Sequence, residues 1–200
     1  GDVSHFEAHE AVKDSFILVE QRWSGIPERT MGCPFFIDID GNGLLDCLIG
    51  YGAGGMEHRE QAAQYSTDFS TLRQEDVLNI WDFGQESIVG IADLDDDGRL
   101  DILRCAAPMG ESIMLRYPIF HFTQTAVGDP RVSTVTSAFS GILSRTLSAI
   151  SIADLDGDGT LDLFLSRTNR DSLALYRQRA AEPFMFDRAA EPFLQGQLTN

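Results

Sequence analysis

The chain has 200 residues, 43% of them hydrophobic and 10% aromatic, enough to bury a sizeable core as one domain. It carries 31 acidic against 15 basic residues and a net charge of −16, which sets nucleic acid and anionic lipid headgroups aside as partners. No apolar run approaches the roughly 20 residues of a membrane-spanning helix, so no membrane insertion is expected. The three cysteines, Cys33, Cys47 and Cys105, are odd in number and lack close CxxC spacing, which argues against a disulfide framework or a zinc site. They are expected on strands as small buried fillers. Gly1 in place of Met points to a processed chain or a cloning remnant.

Residues 1–32 contain no metal-binding pattern. Asp2 to Lys13 is polar and reads as a short helix or an extended arm; His5 and His9 would share a helix face at i, i+4, but without further ligands they read as solvated histidines. Phe16 to Trp23 is a predicted strand, the outer strand of a unit completed from elsewhere. From Cys33 the pattern changes. A strand at Pro34–Ile37 leads into Asp38-Ile-Asp-Gly-Asn-Gly-Leu-Leu-Asp46, and a second strand covers Leu45–Tyr51. Glu57 to Leu78 is polar and accommodates two outer strands with a long connection or a helical insertion. Asp82-Phe-Gly84 reads as a turn.

A second copy, Asp93-Leu-Asp-Asp-Asp-Gly-Arg-Leu-Asp101, lies between predicted strands at Ser87–Ala92 and Leu100–Ala106. Outer strands are expected at Ser112–Tyr117 and Ile119–Thr125. A turn at Gly128-Asp-Pro130 follows, and then Val132–Ser144, a connector or an extra strand. The third copy, Asp154-Leu-Asp-Gly-Asp-Gly-Thr-Leu-Asp162, is flanked by Ser148–Ala153 and Leu161–Ser166. Outer strands around Leu175-Tyr176-Arg177 and Phe184–Asp187 are joined through Ala180-Ala-Glu-Pro. The echo Ala189-Ala-Glu-Pro-Phe193 is the link beyond.

Each nine-residue loop offers side-chain oxygens at positions 1, 3, 5 and 9 and a backbone carbonyl at position 7. The first supplies Asp38, Asp40, Asn42 and Asp46 with the carbonyl of Leu44. The second supplies Asp93, Asp95, Asp97 and Asp101 with that of Arg99. The third supplies Asp154, Asp156, Asp158 and Asp162 with that of Thr160. Such oxygen sets suit a hard cation of high coordination number, Ca²⁺ before Mg²⁺. Glycine at position 6 (Gly43, Gly98, Gly159) permits the positive φ that folds the loop back on an ion. Like charges this close repel unless a cation sits among them. About three Ca²⁺ ions are expected, bringing the net charge to about −10. Asn42 removes one charge, so the first site is expected to be the weakest. An EF-hand is excluded: position 12 is Ile49, Arg104 or Leu165 rather than Glu, and the flanks alternate with strand period.

An apolar strand, a DxDxDGxxD loop and a second strand ending near Gly54-Gly55 or Ala106-Ala107-Pro108 resemble the FG-GAP and VCBS repeats. The resemblance runs from about residue 31 to 194. It implies an all-β fold, a segment of an integrin-α-type β-propeller with about three four-stranded blades. The arm and strand would occupy residues 1–32, blade 1 residues 33–86, blade 2 residues 87–146, and blade 3 with a C-terminal link residues 147–200. Three blades do not close the usual ring of about four to eight. A longer chain, a neighbouring polypeptide covering exposed blades, or a capped open array would resolve this.

The resemblance further implies structural calcium that staples the inner hairpin of each blade. It implies an interaction module, binding a protein or glycan partner, as in cell adhesion. A structural subunit of a larger multi-protein assembly is the alternative, as is the propeller part of a calcium-dependent polysaccharide lyase or phospholipase-like enzyme. No enzyme is expected, since no nucleophile–base pair can be picked out and only four His and the single Lys13 are present. The expected compartment is extracellular, periplasmic or an organelle lumen.

Overall fold

The structure is a computed structural model that describes residues 4–8, 15–23, 26, 33–50, 56–69, 71–72, 85–107, 116–145, 149–166 and 173–189. It is all-β. Three four-stranded antiparallel sheets carry the fold, each opened by one of the acidic loops. Sheet I consists of β3 (Cys33–Ile37), β4 (Asp46–Gly50), β5 (Met56–Glu60) and β6 (Thr71–Leu72), in chain order. Sheet III is equally sequential: β13 (Ile150–Ala153), β14 (Asp162–Leu165), β15 (Ala174–Arg179) and β16 (Glu182–Arg188). Sheet II runs β7 (Gln85–Ala92), β8 (Asp101–Ala107), β10 (Phe120–Gln124) and β11 (Val132–Thr136).

Sheet II departs from expectation in two ways. Of the predicted outer strand Ser112–Tyr117, the described residues Arg116 and Tyr117 are not part of it. Instead β9 (Arg116–Pro118) turns aside and pairs with β12 (Leu143–Arg145) in a separate two-stranded sheet. The fourth strand comes from the stretch read as a connector or an extra strand, with Val132 buried at its start. Pro118 accounts for part of the detour, since it has no N–H to give a central ladder.

In the stretch Glu57–Leu78, the residues described to Leu72 hold two outer strands, β5 and β6, with a connection between them, and residues 73–78 lie outside the described residues. At the N-terminus His5 lies on a strand, not on a helix. Strand β1 (His5–Ala8) forms a hairpin with β2 (Phe16–Glu20). His9, Gly54-Gly55, Asp82-Phe-Gly84, Pro108 and residues 190–193 lie outside the described residues.

The second strand of each sheet is central and buried on both faces, which explains its near-continuous apolar sequence. Its alternate residues serve two different cores. Ile102 on β8 joins Ile39, Leu48, Val89, Ile91, Phe122 and Val132 between sheets I and II. Leu103 and Cys105 point the other way, into a cluster with Ile119, Phe139, Ile150, Leu163 and Leu165 between sheets II and III. A third cluster places Trp23 and Ile26 against Cys47 and Ile49 of sheet I and Phe69 of the β5–β6 connection, and the Trp23 indole N–H donates to the Thr67 carbonyl at 2.7 Å. The sheets therefore stack face to face in chain order. Cys47 and Cys105 are buried free thiols, and burial pushes both up to about 12. Cys33 stands on β3.

Candidate metal centre

The three loops fold by closely similar hydrogen bonds, the third differing in one donor. The first-position aspartate caps the turn: Asp38 accepts from the N–H groups of Asn42 and Gly43 at 3.1 and 2.9 Å, and Asp93 from those of Asp97 and Gly98 at 3.2 and 2.8 Å. Asp154 accepts from Gly157 and Gly159 at 2.8 and 3.0 Å. The fifth residue accepts the N–H of the seventh at 2.7–2.8 Å in all three, from Leu44, Arg99 and Thr160. The backbone is left-handed at position 6, as glycine there requires, with φ of +85°, +83° and +83°. Position 4 is left-handed too (Gly41, Asp96 and Gly157), a requirement that glycine and aspartate meet at low cost.

This geometry draws carboxylates together. One donor oxygen from each of Asp38, Asp40 and Asp46 lies within 4.8 Å of the others, and the same holds for Asp93, Asp95 and Asp101, and for Asp154, Asp156 and Asp158. Two expected carboxylate ligands fall outside these triads. Asp97 is drawn to the Arg99 guanidinium, whose Nε donates to it at 2.7 Å. Asp162 accepts the Leu155 N–H at 3.3 Å and lies 4.0 Å from Arg177 Nε. The electrostatics follow the contacts. Burial first, then Asp97 and Asp101, push the Asp95 carboxyl above its usual range. The Arg99 hydrogen bonds hold Asp97 below it, and the hydroxyl and N–H of Thr160 do the same for Asp158.

No family model matches the chain, and no curated protein is found as a relative.

The ninth-position aspartate has a second task. In every loop it accepts the N–H of position 2: Ile39 to Asp46 at 2.9 Å, Leu94 to Asp101 at 3.0 Å, and Leu155 to Asp162. In the first two loops its other oxygen meets a buried histidine on the third strand, His58 Nε2 at 2.6 Å and His121 Nε2 at 2.7 Å. Nδ1 of each ring is buried without a hydrogen-bond partner, which fits a ring whose proton sits on Nε2 and faces the carboxylate.

A glutamine completes each hairpin. Gln61, Gln124 and Gln178 accept the N–H of position 8 at 3.2, 2.8 and 2.9 Å. Their amide groups then reach different partners. Gln124 Nε2 donates at 2.6 Å to the Ile39 carbonyl of the first loop, and Gln178 Nε2 at 2.6 Å to the Leu94 carbonyl of the second. Each links one sheet to the loop of the sheet before it. Gln61 Nε2 instead donates at 2.6 Å to Ser66 within its own sheet's connection. The signal existed in the sequence as His58-Arg-Glu-Gln61, His121-Phe-Thr-Gln124 and Leu175-Tyr-Arg-Gln178, hidden by unequal spacing from the loops.

The donor set fits a hard cation: every triad is all-oxygen and anionic, and carbonyls stand at the seventh positions. In the third loop a cation of the chain's own already approaches, with Arg177 Nη1 3.0 Å from Asp156 Oδ2.

Proposed function

We propose that the chain is a segment of an FG-GAP/VCBS-type β-propeller in which the three four-stranded sheets are blades, each stapled by one Ca²⁺. In this reading it works as a non-enzymatic interaction module for a protein or glycan partner, as in cell adhesion, outside the cytosol. The observation that carries the reading is the recurrence of one acidic hairpin, at the same place in all three sheets, with three carboxylates converging each time. Convergence of like charges is costly without a cation. The role assigned to calcium is structural, since the loops bend the first hairpin of each sheet. Face-to-face stacking in chain order is what blades require of one another.

Two exposed features support a neighbouring polypeptide and the related reading of a subunit in a larger assembly. The second-position side chains Ile39 and Leu94 are 1% and 3% exposed, whereas Leu155 of the third loop is 51% exposed. Strand β2 leaves Phe16, Ile17, Leu18 and Val19 exposed as well. Uncovered apolar surface of this kind invites pairing.

Thermal unfolding in calcium, in magnesium and in chelator tests the central point. An ion bound only by the folded state stabilises by about 2.7 kcal/mol per site at a hundredfold excess over Kd. Calcium should raise the melting temperature well above its value in chelator, magnesium less so. Asp95→Ala should lower the calcium value and blunt the response. Superimposable curves in all conditions would count against a structural calcium role.

A further inference from the structure

We propose that the residue facing the ninth-position aspartate across each hairpin ranks the three loops as calcium sites, with the first the tightest and the third the weakest. The ranking rests on the calcium reading above, and it opposes the order that the loop sequences alone suggest.

The strand register pairs Asp46 with Glu60, Asp101 with Thr123 and Asp162 with Arg177. One equivalent place thus holds a carboxylate, a hydroxyl and a guanidinium. Glu60 restores what the first loop lacks: its Oε2 accepts from Asn42 Nδ2 at 2.9 Å, so an acid stands beside the one loop position without a charge. The second loop has a neutral facing residue, and its own Arg99 holds Asp97 off the triad. In the third loop Arg177 places Nη1 3.0 Å from Asp156 and Nε 4.0 Å from Asp162. A guanidinium does not give up its charge, so a divalent ion must displace it to use both carboxylates.

Preorganisation falls in the same direction. His58 and His121 fix Asp46 and Asp101 from behind. The register pairs Leu48 with His58 and Leu103 with His121, but Phe164 with Leu175, so Asp162 has no histidine. A ligand held by a second hydrogen-bond partner loses less freedom when the ion binds.

Stepwise calcium calorimetry on the chelator-treated full chain tests the ranking. The expected results are that Asp40→Ala abolishes the tightest step and Asp156→Ala the weakest. Arg177→Gln should keep three steps and tighten the weakest about fivefold, the effect of removing one unit charge at a half-exposed site. If Asp40→Ala loses its far-UV signal and does not fold, the surface change Arg177→Gln decides alone. Loss of the weakest step in Asp40→Ala, or an unaltered weakest step in Arg177→Gln, would overturn the ranking while leaving the calcium reading intact. A parent chain that binds no calcium at all would overturn both.

Discussion

The Gln124→Ala variant should melt about 10 °C below the parent, equivalent to about 2.5–5 kcal/mol for a chain of this size. Gln124 is buried and makes two contacts that nothing else replaces. Its Oε1 accepts the Leu100 N–H at 2.8 Å, and its Nε2 donates to the Ile39 carbonyl at 2.6 Å. Truncation leaves both backbone groups without their side-chain partner at the boundary between sheets I and II. It also releases the first acidic loop from the sheet that follows it. Gln61→Ala is the control and should cost less, because its amide contact stays within one connection. Differential scanning calorimetry of both variants reads the comparison, and equal melting of Gln124→Ala and the parent would contradict the latch.

The Gly90→Val variant should also be strongly destabilised. A Cβ at Gly90 would stand 2.4 Å from Cγ2 and 3.1 Å from Cβ of Ile150, on the facing strand of sheet III. Ile150 is β-branched and buried in the cluster between sheets II and III, so it has no free rotamer to retreat into. The sheets must part instead, and overpacking of this kind costs about 1–3 kcal/mol or more. Ile150→Ala should recover part of the loss in the double variant, since the two residues share one space. Urea unfolding of the single and double variants measures the coupling; strictly additive effects would place the strain elsewhere.

The parts of the fold legible in the sequence are those that the chain builds locally. The loops at Asp38, Asp93 and Asp154 were readable because a left-handed turn needs glycine at position 6 and because its hydrogen bonds need oxygens at fixed offsets. Strands β13 to β16 were readable because an acidic loop joins the first pair and a two-residue turn at Ala180–Ala181 joins the last. What escaped was set by pairing across unequal connections. Glu60, Thr123 and Arg177 occupy one place in three hairpins, yet nothing in their sequence distance from the loop marks them as equivalent. Gln61, Gln124 and Gln178 were missed for the same reason. Asp97 and Asp162 are expected among the loop ligands because the pattern contains them; arginines that the pattern does not describe redirect the first and approach the second. The detour of β9 to β12 depends on tertiary packing of Ile119, Phe139 and Ile142, which no local period announces.

Native mass spectrometry of the full chain, stripped by chelator and returned to calcium, counts the bound ions. The folded species should gain up to three calcium ions and no more at moderate excess, and each of Asp40→Ala, Asp95→Ala and Asp156→Ala should lose one. A chain that stays ion-free in calcium, or that retains zinc in preference to it, would rule out three calcium-stapled loops.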